Sequence, residues 1–254
     1  MTSGIVVRKC HELEEFHRCV ALQREVWGEE DLEVEPVTAF VVAHSTGGQV
    51  LGAFDGDRLA GFTLAVVGVH EKVVYLHSHM TGVHSDYRDR GVGRMLKLFQ
   101  RDDALSSDIR LICWTFDPLE FRNAYFNLNR LGAISRKYLP NLYGITTSPL
   151  HRGLATDRLL AEWHLDSPRV VAAVADAPVQ IPEYSVLIEM PASPSTVPGS
   201  TTANTPAEDA QHIATLQARL RDEFVKSFSR GYAAVAVRKD APAPAYVLCP
   251  WSDF

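Results

Sequence analysis

Apolar runs alternate with amphipathic stretches along this chain, and their periods separate strands from helices. "IVVRK" (5–9) and "KVVYLHSHMTGV" (72–83) read as strands. So do the two halves of "QVLGAFDGDRLAGFTLAVVG" (49–68), which flank Asp55-Gly56-Asp57 as the arms of a hairpin flank its turn. In "LEEFHRCVALQREVW" (13–27), Leu13, Phe16, Val20 and Trp27 recur near helical spacing, and Gly28 follows as a stop. From Gly93 onward Met95, Leu96, Phe99 and Leu105 keep a helical period. "RLICWTF" (110–116) is a nearly continuous apolar run of the kind a buried strand shows. Asp117-Pro118 breaks it, "EFRNAYFNLNRLG" (120–132) reads as a helix closed by Gly132, and "RLLAEWHL" (158–165) as one more strand. The predicted order β-α-β-β-β-α-β-α-β is a mixed α/β sheet with helices on its faces.

The pattern then fails. Residues 191–206, "PASPSTVPGSTTANTP", hold no large apolar side chain beyond Val197 and read as a flexible connector. Beyond it Ile213, Leu216, Leu220, Phe224 and Phe228 draw one apolar stripe on a helix, and "YAAVAVRK" and "AYVLCPW" read as a terminal hairpin. The expected organisation is a core at 1–166, an extension with a strand at 167–190, the linker, and a tail at 207–254 too small to bury a core alone.

Composition narrows the classes. With 254 residues, 46% hydrophobic and 22% charged, the chain has the makings of a soluble globular core. A net charge of -6 argues against general affinity for nucleic acid. Cys10, Cys19, Cys113 and Cys249 are scattered without a C-x-x-C pair, as in a reducing compartment. Neither a leader nor a membrane-spanning run is apparent, so a cytoplasmic protein is expected, with no membrane partner.

The sharpest local signal is "SDYRDRGVGRMLKLFQ" (85–100), where Arg88 to Gly93 read R-x-x-G-x-G between a strand and a helix. A P-loop needs G-x-x-x-x-G-K-[ST], and a dinucleotide turn needs a third small residue where Leu96 stands; both are excluded. What remains is a turn whose helix presents unpaired N–H groups and the positive end of its dipole, a ready anion site. Glycine at 91 and 93 lets an anion lie against the main chain, and Arg88, Arg90 and Arg94 add positive charge.

On these residues the sequence resembles the GNAT superfamily of acyl-CoA N-acyltransferases. Its [QR]-x-x-G-x-[GA] signature corresponds to Arg88, Gly91 and Gly93 within "VHSDYRDRGVGRMLKLFQRDDAL", and the order of elements from 5 to about 165 agrees. The resemblance implies a GNAT-like fold with a C-terminal extension and acetyl-CoA or another acyl-CoA as co-substrate. It implies that Val83, Arg88, Asp89, Arg90, Gly91, Val92, Gly93 and Arg94 hold the pyrophosphate and pantetheine. Asn123 and Asn127 stand for the family's asparagine, whose usual position is Phe121. It further implies parted fourth and fifth strands and a backbone N–H near Gly82 or Val83 that polarises the acyl carbonyl.

Many relatives carry a tyrosine four residues before the glycine ending the next helix; counting back from Gly132 reaches Leu128. Tyr125, one turn earlier, is the nearest candidate acid, with Tyr138 and Tyr143 as others. His77 and His79 share a face of their strand if no bulge intervenes; His79 suits a general base, and His77 is a candidate contact for the acceptor substrate. As an H-x-H metal site the pair lacks a third ligand, and no metal is expected. Arg136, Lys137, His151, Arg152, Asp157 and Arg158 gather a charged cluster in which Arg152 and Arg158 are candidates to hold an acceptor carboxylate. The expected activity is acyl transfer to a small-molecule amine through a ternary complex. The alternatives are a non-catalytic acyl-CoA-binding module and a protein N-acyltransferase. The family often forms homodimers.

Overall fold

A computed structural model describes residues 4–28, 34–145, 155–179, 181, 185–190, 206–239 and 243–251. The chain divides into two compact units, with the boundary between Trp114 and Thr115. This boundary falls inside a strand, well before the expected end of the core at residue 166.

In the first unit, β1 (Ile5–Lys9) is followed by α1 (Leu13–Trp27), α2 (Val37–Ser45), β2 (Gln49–Asp55), β3 (Arg58–His70), β4 (Val73–Val83) and α3 (Val92–Ser106). β5 (Leu111–Phe116) then carries the chain onward. The strand order is β1-β2-β3-β4-β5, antiparallel except for the parallel β4–β5 pair. Asp55-Gly56-Asp57 is the hairpin turn, with Gly56 at φ 57°. The glycine stop of α1 also forms: Gly28 is left-handed at φ 61° and its N–H closes on the Arg24 carbonyl.

Two apolar clusters cover the sheet. Phe16, Leu22, Phe40, Phe54, Phe62 and Leu64 form the one that α1 and α2 complete. Leu51, Ala53, Ala60, Tyr87, Val92 and Leu96 form the one that α3 completes. The α2 helix is absent from the expected order. Its sequence "VTAFVVAHS" is apolar nearly all round, with Val41 and Val42 exposed, so it carries no amphipathic period to read.

The second unit contains α4 (Phe121–Tyr125), a π-helical turn (Phe126–Arg130), β6 (Ile134–Leu139), β7 (Arg158–His164), α5 (Pro168–Val174), β8 (Val186–Glu189), α6 (Pro206–Phe228), β9 (Tyr232–Arg238) and β10 (Ala245–Pro250). Its strands run in the order β7-β6-β9-β10-β8. The terminal hairpin is β9–β10, and the predicted stripe lies on α6. Phe224 packs against Tyr138 of β6 and Tyr246 of β10, with ring centroids 5.9 and 5.0 Å apart. The tail therefore shares its core with β6 and β10. Segment 134–139, to which the sequence pattern assigned no element, is a strand whose charged Arg136 and Lys137 disguise the burial of Ile134 and Tyr138. Residues 191–205, the greater part of the expected linker, lie outside the described residues.

Candidate active site

The turn opening α3 combines two glycines that are glycine for different reasons. Gly91 is the N-cap of the helix at φ 80°, a conformation in which an L side chain is strained. The turn alone accounts for it. Gly93 has no such constraint, and a Cβ built there would meet nothing nearer than the Val83 side chain at 3.9 Å. No described atom therefore stands in the way of a Cβ at position 93. The first intrahelical backbone bond of α3 runs from Met95 N–H to the Gly91 carbonyl at 3.0 Å, and no side chain caps the helix. The amides of Val92 and Gly93 therefore have no intrahelical acceptor.

Exposed Arg88, Asp89 and Arg90 precede these glycines, Asp89 itself left-handed at φ 60°. The loop is anchored from below. Tyr87 donates its hydroxyl to Asp55 at 2.9 Å and lies under the Arg90 guanidinium, while Arg58 pairs with Asp86 at 2.7 Å.

On β4, the ladder to β5 consists of Leu76–Ile112 and His77–Cys113 only. From Ser78 to Val83 the strand continues without a ladder partner on that side among the described residues. On its other side it stays paired with β3, where Leu64 faces Met80 and Ala65 faces Ser78, so His79 is the extra residue of a bulge. The bulge does not separate the two histidines: their ring centroids stand 6.4 Å apart. His79 Nε2 lies 3.0 Å from a Glu35 carboxylate oxygen. Glu35 just precedes α2, and its partnership had no signal in the sequence. Burial, the charge of His79 and that of Lys97 hold the His77 imidazolium below its ordinary pKa.

Beneath β4 lies a polar group that sequence reasoning missed. Lys97 Nζ of α3 donates to Ser78 Oγ at 2.8 Å and to Gln100 Oε1 at 3.0 Å, and sits 4.1 Å from the centroid of the Trp114 ring. Burial draws its pKa down to about 7. A signal existed: helical spacing puts Lys97 and Gln100 on the buried stripe of Val92, Leu96 and Ala104.

The other candidates belong to the second unit. Tyr125 is half-buried, stacked on Phe121 at 6.2 Å, with Lys239 Nζ 3.8 Å from its ring centroid. Asn127 is buried and donates to Asn123 Oδ1 at 3.2 Å. Leu128 is fully buried. The charged cluster after β6 closes on itself. Asp157, 0% exposed, accepts from Tyr138 at 2.7 Å, from the Asn141 N–H at 2.9 Å and from Arg221 three times, at 2.8, 3.0 and 3.0 Å. Arg136 pairs with Glu162 at 2.7 Å. Arg158 is 8% exposed, bonded to the Asp157 carbonyl, 3.9 Å from Asp117 and over the Tyr143 ring. Arg152 and His151 lie outside the described residues. Among the described residues no group of His, Cys, Asp or Glu is arranged to hold a metal.

No protein-family model matches the sequence, and no curated protein matches it. Solved structures do match by fold. A protein from Desulfovibrio desulfuricans assigned to the GNAT family of acetyltransferases aligns at TM-score 0.51 and 14% identity, over 64% of this chain and 99% of its own. The protein yncA of Salmonella typhimurium, solved with acetyl-CoA, aligns at TM-score 0.52 and 13% identity over 65% and 96%. Arabidopsis thaliana Naa50, in complex with the bisubstrate analogue CoA-Ac-MVNAL, gives 0.50 and 14% over 63% and 97%. About two-thirds of this chain thus shares the fold of these GNAT structures.

Proposed function

We propose that this protein transfers an acyl group, acetyl in the simplest case, from acyl-CoA to the primary amine of a small molecule. One observation carries the reading: Gly93 has ordinary helical geometry and room for a Cβ, whose nearest neighbour would be Val83 at 3.9 Å, beside amides that have no intrahelical acceptor. A diphosphate filling that space would accept from the N–H groups of residues 89–94, reinforced by the helix dipole and by Arg88, Arg90 and Arg94. The pantetheine arm would lie along the unladdered edge of β4 toward Val83. A backbone N–H near Gly82 or Val83 would then polarise the thioester carbonyl.

His79, oriented by Glu35, takes a proton from the acceptor ammonium or the attacking amine, with His77 lining the same face. Asn123 and Asn127 are proposed coenzyme contacts, and Tyr125 is a candidate proton donor. The arginine clamp for an acceptor carboxylate is not carried forward on Arg158, whose charge is engaged within its own unit. No covalent enzyme intermediate is required.

Replacement of Gly93 by leucine tests the reading. Thermal stability should stay within about 1 kcal/mol, because helix interiors accept leucine well. Coenzyme A affinity measured by calorimetry should drop at least about tenfold, the worth of one lost charge-assisted hydrogen bond. Undiminished affinity would refute the assignment. Thiol release with acetyl-CoA and a panel of small amines and peptide N-termini, in which a small amine should be the best acceptor, identifies the acceptor. Binding without turnover across the panel would leave a coenzyme-binding module.

A further inference from the structure

The amides proposed to hold the diphosphate belong to residues 89–94, and one side chain fixes where that loop leaves the sheet. His84 directly follows Val83, the last residue of β4, and its N–H donates to the Ala60 carbonyl of β3 at 2.9 Å. A single 3₁₀ turn, Ser85–Tyr87, then leads to Arg88. Two backbone bonds hold the turn, from the Tyr87 N–H to the His84 carbonyl at 2.9 Å and from the Arg88 N–H to the Ser85 carbonyl at 3.2 Å. The third bond comes from a side chain: His84 Nδ1 accepts the Asp86 N–H at 3.1 Å. Serine, aspartate or asparagine ordinarily fills such a place, and histidine is an uncommon cap.

That bond decides what the imidazole can do. A backbone N–H only donates, so Nδ1 keeps its lone pair and the ring hydrogen sits on Nε2. Nε2 lies 3.2 Å from a Glu25 carboxylate oxygen of α1, which accepts that hydrogen. Arg58 Nη2 passes 3.1 Å from Nε2 but donates to Asp86 at 2.7 Å. Tyr87 meets the ring edge-on, with centroids 6.1 Å apart, and its hydroxyl ties the far end of the turn to Asp55. His84 is nearer in sequence than His79 to the amide assigned to the thioester carbonyl. Both of its nitrogens are committed, however, and no lone pair is left to take a proton from an amine. Its place suits holding the chain rather than moving protons.

We propose that His84 is a positioning residue for coenzyme binding: its Nδ1 caps the turn at Asp86 and thereby sets the direction in which the chain enters the diphosphate loop. The inference rests on the acyl-CoA reading above. Beyond the turn, Asp89 and Gly91 are left-handed at φ 60° and 80°, so the loop is a series of defined bends from a defined start. Without the cap the start is loosened, the amides of residues 89–94 sample more directions, and binding must order them at an entropic cost. A capping bond of ordinary strength makes that cost about fivefold in affinity.

Calorimetry with coenzyme A on wild type, His84→Asn and His84→Gln separates this role from that of a merely structural histidine. Both replacements keep an amide at the position. Asparagine Oδ1 stands where Nδ1 stands, one bond beyond Cγ, whereas glutamine Oε1 lies one bond further out. His84→Gln should bind coenzyme A about fivefold more weakly, with the loss in KM for acetyl-CoA rather than in kcat. His84→Asn should restore affinity to within about twofold of wild type, because its side chain readily bonds the N–H two residues on. Glutamine binding as tightly as asparagine, or asparagine binding as weakly as glutamine, overturns the inference. Imidazole nitrogen chemical shifts of the wild type, at mildly alkaline pH, need no variant to fold: they should show a bare Nδ1, and a hydrogen on Nδ1 overturns the inference as well. Each such result beside a wild type that binds coenzyme A removes the role of His84 alone, whereas a wild type without affinity for coenzyme A removes the diphosphate loop with it.

Discussion

The turn that opens α3 and the cluster around Asp157 are both rich in charge, yet they handle it in opposite ways. Around Asp157 the described charges that pair do so within their own unit: the carboxylate is held by Arg221, Tyr138 and the Asn141 amide, and Arg136 meets Glu162. Around Gly91 and Gly93, Arg88 and Arg90 are exposed, the first helical amides lack intrahelical acceptors, and a Cβ at position 93 would meet nothing nearer than Val83 at 3.9 Å. Closed charge of the first kind holds a fold together. Open charge beside bare main chain is what a ligand can use.

Breaking each region should therefore give different losses. The largest stability effect is expected from Asp157→Ala, which strands Tyr138 and the Arg221 guanidinium. Removing one partner of a buried ion pair costs about 3–5 kcal/mol, and chemical denaturation should show a loss of that order. Coenzyme affinity of the fraction still folded should be unaltered.

Next in size is the pH dependence of Lys97. Its pKa is near 7 in the folded protein and 10.5 ordinarily, so between those values the unfolded chain binds more protons. Stability must then rise with pH across that window, by at most about 4 kcal/mol between pH 7 and 10. Below pH 7 both states are protonated and the full cost of the buried charge is present. The difference in unfolding free energy between wild type and Lys97→Met, followed over that range, isolates the effect; a constant difference would mean the lysine is not desolvated.

Smallest is Gly91→Ala. It should lose about 1–2 kcal/mol from the left-handed N-cap alone, measurable as a lowered Tm before any ligand is added. Gly93→Leu should show no such loss. Equal destabilisation at both positions would erase the distinction between turn glycine and ligand glycine.

The contrast also explains what could be read from the chain beforehand. Strands with clean alternation, the Asp55-Gly56-Asp57 hairpin and the stripe of α6 are local patterns, and each appears where its period places it. The α2 helix escaped because its apolar residues leave no polar face. β6 escaped because Arg136 and Lys137 interrupt its pattern while pairing gives Arg136 its partner.

At the candidate site the glycine motif was visible because it is contiguous. Glu35 lies forty-four positions from His79 in sequence, and only folding brings them together. The arginines after β6 looked like an anion site because the sequence hides Asp117, Glu162 and Arg221 from their neighbours. Lys97 drew no notice in the sequence, although its place on the Val92–Leu96 stripe marked it as buried.

The central claim is that the main chain at the start of α3 binds the coenzyme's diphosphate. Backbone amide resonances followed during titration with coenzyme A test it most directly. The amides of residues 89–94, Val92 and Gly93 among them, should shift most, and Gly93→Leu should abolish the response. Saturating coenzyme A that leaves those amides in place while moving others would contradict it.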